Sequence, residues 1–152
     1  MNPPAENDDD PDGQPAPAAK PSAPQALPGL EVIVDRVVYE PHLEAPPERP
    51  YPFVYFLTIH NGSAETVQIF ARKWVVTDLA SGHRIVVEGE GVVGQRPRLE
   101  TGETFSYHSY HPIAAHSRAE GAFFGRTEAG QTVFVRIPPF DMQLPPGEGS
   151  NL

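Results

Sequence analysis

The chain of 152 residues contains no cysteine. A disulfide framework and a thiolate metal site are both excluded, so the fold must stand on packing alone, which suits a reducing compartment. Long apolar runs are missing as well. The longest, Phe53 to Leu57, is five residues, against the roughly 20 that a membrane helix requires. The first ten residues, MNPPAENDDD, lack both the basic start and the apolar stretch of a secretory signal. These absences predict a cytoplasmic protein with no membrane span. Basic residues are scarce too, 11 Lys and Arg against 20 Asp and Glu, for a formal net charge of −9. Because phosphate backbones are bound by clustered Lys and Arg, nucleic acid is not expected as the main partner.

Proline is abundant, at 19 residues, and eight of these fall within residues 1–29. That segment has no aromatic residue and one leucine, Leu27. It buries too little surface to offset the entropy of ordering and reads as a disordered Pro/Ala-rich tail. Its acids, Glu6, Asp8, Asp9, Asp10 and Asp12, face a single Lys20, leaving −4. Residues 145–152 read as a flexible C-terminus, and residues 30–144 as one domain.

Within that domain the apolar pattern has period two, in short β-branched and aromatic segments separated by turn residues. Val32 to Tyr39 is the first strand, followed by a proline-rich loop from Pro41 to Pro50. Tyr51 to His60 places Tyr51, Phe53, Tyr55, Leu57 and Ile59 on one face. Asn61-Gly62 predicts a tight hairpin into a returning strand, Thr66 to Asp78, on which Phe70, Trp74 and Val76 share a face. Ser81-Gly82 turns the chain into a short strand, and Glu103 to Ser109, Glu120 to Arg126 and Gln131 to Ile137 complete the set. Seven strands and no helix in about 110 residues predict an all-β, antiparallel two-sheet sandwich, with a closed barrel as the alternative. The aromatics at 51, 53 and 55 and Trp74 are read as packing.

Residues 89–94 spell GEGVVG, the glycine spacing of a dinucleotide-binding turn. Such a turn follows a strand and opens a helix whose N–H groups receive the pyrophosphate. A strand is available at Ile85 to Glu88. A helix is not, because Pro97 and Gly102 interrupt the chain before the next strand. Glu88 and Glu90 repel a phosphate, while Arg96 and Arg98 attract one. Gly89, Gly91, Gly94, Arg96 and Arg98 are the candidate ligand-binding residues. The competing reading is a glycine-rich connection anchored by Val92 and Val93, with both arginines at its exposed end.

Five stretches resemble the ApaG domain family over roughly residues 31–144. They are Tyr51-Pro-Phe-Val-Tyr-Phe-Leu-Thr-Ile-His-Asn61, Arg72-Lys-Trp-Val-Val-Thr-Asp78, Val87-Glu-Gly-Glu-Gly-Val-Val-Gly-Gln-Arg-Pro-Arg-Leu99, Gly102-Glu-Thr-Phe-Ser-Tyr107 and Ile137-Pro-Pro-Phe140. The resemblance implies an immunoglobulin-like or fibronectin-III-like β-sandwich. Bacterial members are labelled cobalt/magnesium efflux proteins, which implies a metal-related role. The domain's presence in eukaryotic F-box proteins and a polymerase-δ-interacting protein implies a binding module. Two departures stand out. Ser109-Tyr-His-Pro-Ile113 replaces the family's common Ser-Gly-Cys-Pro-Leu, and Arg118 stands where glycine is usual.

His108, His111 and His116 form H-x2-H-x4-H, residues suited to a transition metal. Positions 108 and 111 point to opposite faces of a strand, however, so no metal site is assigned. Glu88, Glu90 and Glu100 could offer oxygen ligands to a hard cation but lack the spacing of a calcium loop. Ser106 and Ser109 flank His108 without the geometry of a nucleophile and base, and neither a G-x-S-x-G elbow nor a zinc-hydrolase helix is present. The sequence therefore predicts a non-enzymatic module without a cofactor, whose partner is a protein or small-molecule ligand.

Overall fold

The computed structural model describes residues 23–147, and the acidic block of residues 6–12 lies outside the described residues. No helix occurs among them. Seven long strands form as β2 (Leu30–Tyr39), β3 (Tyr51–Asn61), β4 (Val67–Asp78), β5 (Arg84–Glu90), β7 (Thr104–Ile113), β8 (Ser117–Thr127) and β9 (Thr132–Met142). Two short ones, β1 (Gln25–Ala26) and β6 (Arg98–Leu99), complete the set. A six-stranded sheet has the order β1-β9-β8-β4-β5, with β6 also paired to β4, and a three-stranded sheet has the order β2-β3-β7. All pairings are antiparallel except β1 on β9.

Alternation drives the two sheets together. Leu57 and Ile59 of β3, Val67, Ile69 and Trp74 of β4, Phe123 of β8, and Val133 and Ile137 of β9 fill the space between them. Trp74 is only 1% exposed. Polar and charged side chains at the alternate positions of β4, β8 and β9 face away from this core.

Two local expectations fail for identifiable reasons. Asn61-Gly62 closes no hairpin: β3 pairs with β2 and β7, whereas β4 pairs with β8 in the other sheet. The dipeptide turns a corner between sheets instead. The Asn61 amide, fully buried, donates to the carbonyls of Glu65 at 2.8 Å and Leu99 at 2.9 Å and accepts from the Ser63 hydroxyl at 2.7 Å. Phe70 does not share a face with Trp74 and Val76, because a bulge between Ile69 and Ala71 shifts the phase of β4. Val67 and Ile69 point inward before it, Trp74 and Val76 after it, and Phe70 faces outward against Arg126.

Strands also run past the prolines that bounded them in the sequence. Pro112 lies in β7, an edge strand of its sheet, and Pro138 and Pro139 fall at an irregularity in the β8–β9 register between Ala119 and Gly121. Edge and irregular positions are where a missing N–H does least harm. Gln25 and Ala26, within the segment read from composition as tail, pair with Val133 and Phe134.

Candidate functional site

In GEGVVG, Gly89 and Glu90 end β5, and the turn comes after them. The Val92 N–H donates to the Gln95 carbonyl at 2.7 Å and the Gln95 N–H to the Val92 carbonyl at 2.9 Å. Val93 and Gly94 between them hold φ of 44° and 79°, the signature of a type I′ two-residue turn. The Gly91 N–H donates to the Phe70 carbonyl at 2.6 Å. A Cβ on Gly91 would stand 2.6 Å from the Gln95 oxygen, so only glycine fits there. Val92 is completely buried in the core cluster. Beneath the turn, the Arg72 guanidinium donates to the carbonyls of Glu90 at 2.9 Å and Gly91 at 3.0 Å. The stretch is thus a tight-turned excursion between β5 and β6, both of which pair with β4, with its Gly91, Val92 and Gln95 N–H groups already engaged, and β6 rather than a helix follows it.

Arg96 and Arg98 lie at the exposed end, as expected, but each is engaged. Arg96 pairs with Glu90 at 2.6 Å, and Arg98 bridges Glu100 at 3.1 Å and Glu128 at 2.6 Å. Both side chains are about half exposed, at 53% and 50%. Together with Gln68, Phe70, Arg126 and Thr127 they line a notch of about 290 Å³.

The notch opens onto the outer face of the six-stranded sheet, where the register builds a pattern invisible in the linear sequence. Phe134 of β9 stands beside Phe124 of β8, and Phe124 beside the bulged Phe70–Ala71 step of β4. On one side of this aromatic row lie Thr132, Arg126, Gln68 and Arg98. On the other lie Arg136, Ala122, Lys73 and Glu88. The Arg126 guanidinium sits 5.0 Å from the Phe70 ring centroid and that of Arg136 5.6 Å from Phe134, within cation–π range. Seven of the ten Lys and Arg among the described residues, at 73, 84, 96, 98, 118, 126 and 136, stand on or around this face, alongside the carboxylates of Glu88, Glu90, Glu100, Glu120, Glu128 and Asp141. Arg84, Arg126 and Arg136 have no ion-pair partner among the described residues. A groove of about 620 Å³ crosses the face between Pro24, Arg136, Phe124 and Lys73.

The histidines do not converge. His111 is buried in the sandwich, stacked on Tyr55 at 4.7 Å and meeting Trp74 edge-on at 4.6 Å. Burial pushes its imidazole down to about 4. The same interior pushes the Tyr107 and Tyr55 phenols up, again through burial first. His108 packs against Phe56 on the opposite face of β7, and His116 accepts the Leu144 N–H at 2.9 Å. Glu88, Glu90 and Glu100 are drawn to Lys73, Arg96 and Arg98 respectively. Ser106 shares a hydrogen bond with Thr58, which donates to Asp35. No group of three His, Asp or Glu among the described residues is disposed to hold a metal ion.

Residues 41–126 match the ApaG domain. The chain belongs to the ApaG domain family. It is 40% identical over 123 residues to Protein ApaG of Rhodopseudomonas palustris, covering 78% of this chain and 91% of that protein. Identity to Protein ApaG of Deinococcus radiodurans is 34% over 123 residues, covering 80% and 94%. The crystal structure of an ApaA protein from Bordetella pertussis is similar, with a TM-score of 0.67 at 31% identity, covering 82% of this chain and 99% of that one. In this ApaG domain the histidine at the departure Ser109–Ile113 is an interior packing group. The other departure, Arg118, forms an exposed pair with Asp141 at 2.8 Å.

Proposed function

We propose that this ApaG domain is a non-enzymatic binding module that takes an extended acidic polypeptide on the outer face of its six-stranded sheet. The observation that carries the reading is the aromatic row Phe134–Phe124–Phe70 set between two rows containing arginine. The three rings are half-buried, and aromatic and arginine side chains are the groups that dominate protein-binding surfaces. Arginines over ring faces present N–H donors outward to carboxylates while the rings take up apolar segments. By the family's label, the setting is cobalt and magnesium homeostasis in a bacterial cytoplasm.

A second reading is favoured by the notch alone: Arg96, Arg98 and Arg126 line it together with Glu128, the partner of Arg98, and guanidinium groups in excess of carboxylate suit a phosphate-bearing ligand. One thermal-shift series separates the two, using pyrophosphate, ATP, Mg²⁺, Co²⁺ and a mixed glutamate–proline peptide as probes. A saturable shift with the peptide, lost in Phe124→Ser and Arg136→Glu, supports the polypeptide reading. A shift with pyrophosphate or ATP, lost in Arg96→Ala with Arg98→Ala, replaces it. A shift with either cation alone overturns both surface readings.

A further inference from the structure

A segment of this chain itself lies at the edge of the outer face. The groove is lined by Pro24, the second of the described residues, by Phe124 and Phe134, and by the three cations Lys73, Arg84 and Arg136 against the single carboxylate of Glu120. Gln25 pairs with Val133 and Ala26 with Phe134, and the Gln131 side-chain amide donates to that of Gln25. Because β1 runs parallel to β9, the chain enters β1 from the Thr132 end of the sheet. That end carries the row holding Arg126 and Arg98. The preceding residues supply Glu6, Asp8, Asp9, Asp10 and Asp12, with prolines at 3, 4, 11, 15, 17 and 21. They join carboxylates to rings that prefer extended backbone and stack on aromatic side chains. Reach is ample. Asp12 stands twelve positions before Pro24, which spans up to ~40 Å when extended, whereas β9 to β5 covers only ~14 Å of sheet.

We infer that the acidic N-terminal segment, residues 1–22, docks in cis across the basic–aromatic outer face of the six-stranded sheet and competes there with the partner. Its carboxylates meet Arg126, Arg136 and Arg84, and its prolines lie over Phe124 and Phe134. The segment then acts as a tethered competitor, so a partner must displace it by presenting more acid or a better apolar fit. The inference rests on the reading of this face as a docking surface.

The chain has no cysteine, so Asn7→Cys gives a single nitroxide site in the full-length protein, read by amide NMR. The expected result is selective signal loss at residues 68–71, 122–126 and 132–136. That loss should be relieved at about 1 M salt, where charges are screened beyond ~3 Å, and when Glu6→Gln, Asp8→Asn, Asp9→Asn, Asp10→Asn and Asp12→Asn are combined. No loss on this face, loss shared equally with the outer face of β2-β3-β7, or loss unchanged by neutralisation would overturn the inference. A second arm adds the glutamate–proline peptide in trans to the neutralised full-length chain. Peptide-induced shifts on 122–126 and 132–136 without prior nitroxide contact leave the docking face standing and remove the cis segment. Nitroxide contact together with such shifts supports both, and silence in both arms removes both.

Discussion

Val93 holds a φ of 44°, a conformation in which a β-branched side chain crowds its own backbone. Val93→Gly should therefore stabilise the domain by about 1 kcal/mol, read from the urea midpoint. Its neighbour behaves in the opposite sense. Val92 is fully buried, so Val92→Asp should cost about 3 kcal/mol through an unpaired buried charge and lost packing. Arg96→Ala removes only an exposed ion pair and should leave the unfolding curve within about 1 kcal/mol. His111 adds a pH dependence. Its folded value lies near 4, below the ordinary 6.5, so the unfolded chain takes up the proton first as pH falls. The stability it contributes is complete above about pH 6.5 and is lost between there and about pH 4, at up to ~1.4 kcal/mol per unit. In denaturant titrations at pH 7 and pH 5, His111→Phe should lose about 2 kcal/mol less than the parent chain. The buried Val92 was legible as an apolar residue in a glycine frame. The Arg72 guanidinium beneath it was not, since alternation tells which face a residue takes but not which carbonyls lie across the strand.

The hairpin reading of Asn61-Gly62 failed at the scale of elements because the same dipeptide serves a different purpose. A type I′ turn needs positive φ at both central positions, and neither Asn61 nor Gly62 has one. Here the Asn61 side chain is consumed by the carbonyls of Glu65, in the connection to β4, and Leu99, which tie the departure from β3 to the end of β6. Asn61→Ala should destabilise the domain by about 3 kcal/mol by leaving those groups unpaired. The two-residue turn with positive φ at both positions is at Val93-Gly94, closed by the isolated Val92–Gln95 bridge, where a valine in the first position hid the signal. Close strand pairing imposes a second demand. A Cβ on Gly121 would overlap the Lys73 carbonyl oxygen across the β8–β4 ladder. Gly121→Ala should cost at least ~2 kcal/mol, seen as a lowered melting temperature with faster amide exchange in β4 and β8. The seven long strands were visible because each alternates. Their assignment to sheets was hidden, because pairing is decided across the core rather than along the chain. The aromatic row suffered the same limit, since Phe70, Phe124 and Phe134 become neighbours only through register and a bulge.

At the scale of the molecule, four of the seven strand pairings join segments that are not neighbours along the chain: β4 with β8, β4 with β6, β3 with β7, and β1 with β9. Loop closure must precede most of the stabilising contact, so refolding should occupy milliseconds to seconds, the range of sandwich topologies, as stopped-flow tryptophan fluorescence of Trp74 would report. Charge on the outer face of the larger sheet is mixed: most of the described cations gather there together with Glu88, Glu90, Glu100, Glu120, Glu128 and Asp141, and what distinguishes the face is that Arg84, Arg126 and Arg136 stand outside these ion pairs. The pairing of β1 with β9 has a consequence for the protein as it is made. Gln25 meets Val133 about 100 positions later, so a ribosome releases the partner of β1 only after all the other strands but β9 itself have been made. The small sheet can assemble once β7 has emerged and offers Tyr55 and His111 to Trp74, but β4 and β5 must wait for β8 and then β9 to complete the larger sheet. Through that interval the nascent chain exposes aromatic surface that the finished protein hides, and it is then that holding chaperones have something to grasp.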